Sequence, residues 1–329
     1  MTKRNEQIEG LRGLAIILVM TYHFFFRFQT LFLDREIDEA WNYMGEIGVM
    51  FFLIITAVYL PGSSQSCHWI RWFIKRFIRI YPLYFVAITL IYFLLLLLPL
   101  PGRGVSFLDY LLNVILVNGF IGRPYVDGAH WYITTLLSCL FIVGFLANKT
   151  IKRKRLLAYF LWTLTIIVLF SIKCNTAGML SKASAALYHL LGGDYSFVVI
   201  SGLGAEELIE REYKKTSATL CVFALVCFFV VRSAIELGIV VVCIAIVLTC
   251  KYGMIKLMAN RFFVFIGGAS YSVYLFHQNI GYVVILYVST IIGGYSVWLS
   301  SLAVIVSVVI GLLMNRFIGP IFDKKLRNN

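Results

Sequence analysis

An all-α, polytopic membrane helical bundle is the fold class this sequence predicts, and three observations predict it. Of the 329 residues, 60% are hydrophobic and 14% charged, against roughly half apolar and a quarter charged in soluble domains. Apolar runs of roughly twenty residues, the length that crosses a bilayer as a helix, recur from one end of the chain to the other. Those runs are continuous rather than alternating, unlike the period-two segments of a membrane barrel. The mean hydropathy of +0.87 agrees. Because no stretch is left over for a water-soluble unit, residues 1–329 are expected to form one transmembrane domain with no attached soluble domain.

The spans follow in order. Residues 8–28 come first: Lys3 and Arg4 precede the apolar run as they would in a secretory signal, but no small-x-small cleavage pattern follows and Phe24 to Phe28 is bulky, so the segment is read as retained. Residues 45–61 and 77–98 are the next two. Residues 107–121, "FLDYLLNVILVNGFI", are apolar but short and polar-spotted, and read as re-entrant or interfacial. Spans at 130–147, 156–172 and 186–204 come next. As one helix, 216–250 would be roughly 50 Å long, too long to cross once; a hairpin of 216–231 and 236–250 turning at Arg232 and Glu236 is expected instead. Residues 262–287 and 295–315 bring the count to about ten transmembrane helices.

The net charge of +13 would suggest nucleic acid in a soluble protein. Here the basic residues fall in short connectors between spans, which makes them a topology signal and gives no reason to expect a nucleic-acid partner. One set of alternate connectors holds Lys3 and Arg4, then Arg71, Lys75, Arg76 and Arg79, then Lys149 to Arg155, Arg211 to Lys215, Lys251 to Arg261, and Arg316 to Arg327; the opposite set is thin. Both termini are therefore expected to be cytoplasmic. The seven cysteines contain no C-x-x-C pair, and those at 139, 221, 227, 243 and 250 sit inside apolar runs as small hydrophobes.

Arg12 and His23 carry the first chemical signal. Eleven residues apart, they stand about three turns plus 20° around a helix and roughly 16 Å along it, so both address one face. A cation and an imidazole are costly in a membrane helix and by default face the bundle interior for a purpose; the bland alternative is an arginine snorkelling to lipid phosphate and a packed histidine. "HWIRWFIKRFIRIYPLYF" adds a second basic constellation: Arg71 and Lys75 read as connector charge, whereas Arg76 and Arg79 stand at the lip of a span on nearly one face, where a phosphorylated ligand could be held. His277 in "GGASYSVYLFHQN" and His130 in "DGAHWYITT" are expected at depths like that of His23, with Trp131 beside His130 on the side where an acceptor would arrive. No metal site is expected, since the histidines fall on different helices without a carboxylate pattern.

"IEGLRGLAIILVMTYH", with its Arg-x10-His spacing, resembles the opening of integral-membrane acyltransferase family three, the bacterial polysaccharide O-acetyltransferases and their relatives. "GVMFFLIITAVYL" is similar to that family's G-V-x-x-F-F span, "RFIRIYPLY" to its R-x-x-R segment, and "FIGGASYSVYLFH" to its late S-Y-x-x-Y-L-x-H helix. These segments run in family order from Glu9 to His277. The resemblance implies an O-acyltransferase of the bacterial inner (plasma) membrane. Acetyl-CoA or another acyl-CoA would be the donor on the cytoplasmic side, with no tightly bound cofactor, and a hydroxyl of a cell-envelope glycan or lipid-linked sugar the acceptor. It also implies catalytic roles for Arg12, His23 and His277, and donor-phosphate binding by Arg12, Arg76 and Arg79. His23 would act as general base on the acceptor hydroxyl or first accept the acyl group itself.

Two departures leave the carboxylate that would orient a catalytic imidazole unassigned. Many relatives carry an acid where this chain has Met50, and a glutamate after the motif Trp where "HWYITTLLSC" has none. Glu46, one turn before Met50, is the leading replacement, with Asp34 and Asp127 behind it. The rival reading is a transporter or flippase of a lipid-linked sugar; the lack of an internal repeat and of a coupling carboxylate within a span argues against it.

Overall fold

A computed structural model describes residues 5–60, 69–149, 152–210 and 214–318. Lys3, Arg4, Arg211, Lys324, Lys325 and Arg327 of the basic connectors lie outside the described residues. Within the described residues the regular structure is helical: α1 (Glu6–Phe32), α2 (Asn42–Tyr59), α3 (Trp69–Leu97), α4 (Phe107–Val114), α5 (Trp131–Lys149), α6 (Lys152–Asn175), α7 (Gly178–Leu190), α8 (Tyr195–Glu210), α9 (Lys214–Val231), α10 (Ala234–Lys251), α11 (Arg261–Gly268), α12 (Ser270–Phe276), α13 (Gln278–Ile292) and α14 (Val297–Phe317). Among them, eight helices are long and apolar enough to cross a membrane, or nine if the bent pair α12–α13 is one span. The chain is a multi-pass membrane protein.

The count differs from ten at two places. The expected span 186–204 is broken between α7 and α8, because Gly192 and Gly193 turn the backbone at φ +93° and +55°, a left-handed conformation that residues with a Cβ resist. The expected span 262–287 is three pieces, with a 53° bend between α12 and α13 centred on His277. The other expectations fare differently. Residues 107–121 form only α4 and a 3-10 turn, too short to cross, and α9 and α10 make the hairpin, closed by Ser233 and Glu236 capping each other's backbone at the start of α10.

Helix α1 is central, packing against α2, α10, α11 and α12. Its start is capped by Asn5, whose side chain accepts from the Gln7 and Ile8 amides and donates to the Lys251 carbonyl. The approach to α11 is backbone on backbone: a Cβ on Gly13 would fall 2.1 Å from the Phe263 carbonyl oxygen, and one on Gly267 would fall 1.8 Å from that of Glu9. Small residues are what allow membrane helices to meet this closely. Residues Tyr22–Arg27 of α1 form a π-helical turn, in which the extra residue per turn breaks regular α geometry and commonly marks a functional site.

Candidate active site

The two irregular stretches meet. His23 lies in the π turn of α1 and His277 at the bend between α12 and α13, and their rings are 5.0 Å apart. Non-helical backbone at membrane depth persists where it is buried in protein or lines a cavity, and both apply here. His277 is fully buried, while His23 is partly exposed to a cavity of about 540 Å³. Tyr22, Arg27, Glu46, Arg103, Gly128, Trp131, Tyr195 and Gln278 also line that cavity.

Side chains from α13 hold the His23 imidazole. Its Nδ1 is 3.2 Å from the Tyr282 hydroxyl and 3.2 Å from Gln278 Nε2, and the same amide donates to the Tyr282 oxygen at 3.4 Å. A phenolic hydroxyl can give or take a hydrogen bond, so Tyr282 accommodates either neutral tautomer, whereas the Gln278 amide nitrogen only donates and can bond Nδ1 only when that nitrogen carries no hydrogen; either way Nε2 is left for reactants. His277 Nδ1 donates to the Tyr274 carbonyl at 2.6 Å, which fixes its tautomer and leaves Nε2 a bare acceptor with no partner among the described residues. Gln278 Oε1 and Glu46 Oε2 are likewise buried without partners. Buried polar atoms are seldom left unpaired; Gln278 and Glu46 line the cavity, where their oxygens are placed to meet reactants, whereas His277 stays behind the cavity lining.

A loop clamps the bend. The Asp127 carboxylate accepts from the Ala129 amide at 2.9 Å and from the Asn279 amide at 3.0 Å, while Asn279 Nδ2 donates to the Val126 carbonyl at 2.9 Å. His130 Nε2 bonds the Leu275 carbonyl at 3.0 Å, and the Tyr274 hydroxyl donates to the Ala129 carbonyl. The loop before α5 is thereby fixed to the segment that carries His277 and Gln278. Arg103 closes the mouth, its Nη1 3.5 Å from Asn279 Oδ1 and its guanidinium 5.3 Å from the Tyr282 ring centre.

The remaining residues singled out in the sequence are placed as follows. Arg12 bonds Glu9 at 3.1 Å and is not among the residues lining the His23 cavity. The Arg76 guanidinium lies 3.7 Å from the Trp72 ring centre, and Arg79 is exposed one turn on. Glu46 lines the cavity and faces Arg232 at 3.8 Å, with no hydrogen bond to His23. Asp127 is committed to two backbone amides, and Asp34 is exposed at a φ of +49°. His130 is fully buried and outside the cavity lining, whereas Trp131 lines the cavity and stacks on Tyr195 at 4.7 Å.

Gln278, Tyr282 and Arg103 were not expected. Gln278 follows His277 directly and Tyr282 stands four residues further along the same helix, so helical spacing from His277 was the signal that could have found them. Arg103 carried none, because its place depends on how a loop folds back. Near it, Asp109 is held below the usual carboxylate range by hydrogen bonds from Ser106 and from Arg123.

A family model described as an acyltransferase domain matches residues 5–316. No curated protein and no solved structure matches the chain.

Proposed function

The chain belongs to acyltransferase family three, and from that premise we propose that it transfers an acetyl group from acetyl-CoA to a hydroxyl of a cell-envelope glycan. In this reading the protein resides in the bacterial plasma membrane with both termini cytoplasmic. The donor's phosphates are met by Arg76 and Arg79, with Arg12 deeper along the donor's path, because guanidinium forks match phosphate oxygens. The observation that carries the reading is the His23 cavity: a partly exposed imidazole, oriented through one nitrogen and backed at 5.0 Å by a second imidazole.

In the transfer step His23 Nε2 takes the proton of the acceptor hydroxyl as its oxygen attacks the thioester carbonyl. The carbon–sulfur bond breaks, and the imidazolium returns the proton to the departing thiolate. For Nε2 to accept, Nδ1 must carry the ring hydrogen; the Tyr282 oxygen 3.2 Å away is placed to receive it, and the Gln278 amide then donates to that same oxygen rather than to the ring. That contact fills the role of the missing carboxylate. The sterics suit the chemistry, since a cavity of about 540 Å³ is within the range of small-molecule sites.

The test is acetyl transfer from labelled acetyl-CoA in membranes holding wild-type, His23→Ala, Arg12→Ala or Arg79→Ala protein at matched expression. Base-labile label on an envelope glycan with wild type, lost with His23→Ala, supports the reading. Label that persists with His23→Ala removes His23 from the chemistry, and trapping of an acylated His23 by donor alone replaces the one-step route with a two-step one. If no version adds label while glycan export changes, a transport function takes its place.

A further inference from the structure

Three hollows open in a row. Beyond the His23 cavity lies a second one, of about 490 Å³, and the Trp131–Tyr195 stack lines both. Beyond that lies a groove of about 450 Å³, and Phe120 and Thr134 line both it and the second cavity. The three differ in chemistry. The second cavity is polar and aromatic, with Tyr125, Asp194 and Arg232 beside the stack, whereas the groove is faced by Phe73, Phe77, Leu137, Phe141 and Leu190.

Resting on the acyl-transfer reading of the His23 cavity, we propose that these hollows form one extended acceptor site, and that the acceptor is a sugar carried on a phosphate-linked lipid. The lipid tail lies in the groove, the phosphate and sugar lie in the second cavity, and the reacting hydroxyl reaches His23 past the Trp131–Tyr195 stack. An aromatic stack flanked by an arginine and a carboxylate suits a sugar, offering an apolar face and paired hydrogen-bonding groups. The phosphate has a cation to meet. Arg123 lines the second cavity and uses Nε to bond Asp109 at 2.7 Å, which aims the guanidinium while its two terminal nitrogens have no partner among the described residues. The groove is open to what surrounds the bundle: Phe141 is 44% exposed and Ile115 at its rim 61%, so a membrane-dissolved tail enters it sideways. A tail on the donor's acyl group would have to thread from His23 past the stack and through the polar cavity, whereas a tail on the acceptor does not.

The experiment uses the full chain in lipid vesicles without any acyl donor, so that its outcome is separate from that of acyl transfer. A polyprenyl-phosphate sugar with a photoreactive group on the tail is cross-linked and the labelled peptides are mapped. The proposal expects label on peptides containing Leu137, Phe141 and Leu190. A non-photoreactive polyprenyl-phosphate sugar should compete with it, and ordinary phospholipid should not. Leu137→Trp and Leu190→Trp, which fill the groove from two different helices, should each reduce labelling at least fivefold with unchanged thermal unfolding, and Arg123→Gln should reduce it by a similar factor. Label spread over the outer faces of the bundle, competition by ordinary phospholipid, or labelling indifferent to both tryptophans would overturn it. So would competition by the free sugar as strong as that by the lipid-linked one.

Discussion

The Tyr282 hydroxyl stands 3.2 Å from His23 Nδ1, on a different helix of the bundle and 259 residues away in the chain. No charged group takes that position, so the imidazole is oriented by a neutral partner. A carboxylate there would stabilise a full positive charge on the ring, while a phenol orients it with less charge stabilisation. Tyr282→Phe keeps the ring that packs on Phe24 and Phe28 and removes only the hydroxyl. Its expected effect is a fall in kcat of about 10- to 100-fold, within what a correctly oriented base contributes, with little change in stability. Because Gln278 bonds the same hydroxyl, adding Gln278→Leu should cost less than the product of the two single effects. Turnover of the single and double variants against wild type checks both points, and fully multiplicative losses would dissolve the network.

Gly128 guards the cavity mouth. A Cβ there would lie 2.9 Å from Arg103 Nη1 and 3.1 Å from Gln278 Oε1, both at the ends of movable side chains. Gly128→Ala is therefore expected to leave the unfolding midpoint within a degree or two of wild type, while acyl transfer drops about tenfold as those groups are displaced. Thermal unfolding and turnover measured on one detergent preparation separate the effects; a large loss of stability would show that the side chains do not yield.

Gly267 behaves in the opposite way, because the atom its Cβ would meet, 1.8 Å away, is the backbone oxygen of Glu9. Gly267→Val must push α1 and α11 apart, and overpacking of this kind costs about 1–3 kcal/mol or more. A clear drop in the unfolding midpoint is expected, with Gly267→Ala between it and wild type. Equal midpoints for all three would contradict the close approach.

Arg232 holds three carboxylates: it bonds Asp194, meets Glu236 at 2.9 Å and faces Glu46 at 3.8 Å. Removing the shared cation leaves mutually repelling acids in a half-buried place. Arg232→Gln should destabilise by about 2–3 kcal/mol, below the full cost of breaking a buried pair because the side chain is 26% exposed. A second change, Glu46→Gln, should recover part of that loss, and denaturation curves of the single and double variants give the answer.

Much of the architecture was legible because hydropathy and bilayer thickness act on single segments. Eight of the expected spans exist as helices, and the hairpin at Arg232 follows from a length limit that any apolar run obeys. The breaks were harder. "LLGGDY" reads as an apolar run interrupted by two small residues, and only their positive φ angles turn it into a corner. Helical spacing placed Arg12 and His23 on one face, yet it gives no account of what stands opposite. Arg12 turned to Glu9 one turn away, and His23 to a helix made much later in the chain. The 5.0 Å meeting of His23 with His277 depends on a π turn and a bend, neither of which has a pattern in the residues that form it.

Apart from α2, the partners of α1 lie late in the chain. Asn5 bonds the Lys251 carbonyl across 246 residues, Gln7 accepts from the Ile255 amide, Gly13 lies against Phe263, and the Ser300 hydroxyl bonds the Phe24 carbonyl. At roughly 5–20 residues per second, the first helix waits about 12–50 s after its own synthesis before its glycine face is covered. During that interval it is a nascent helix with an arginine, a histidine and bare backbone turned toward lipid or toward whatever insertion machinery shelters it. Ribosome stalling or premature termination anywhere before α11 would therefore strand α1 without its main partner.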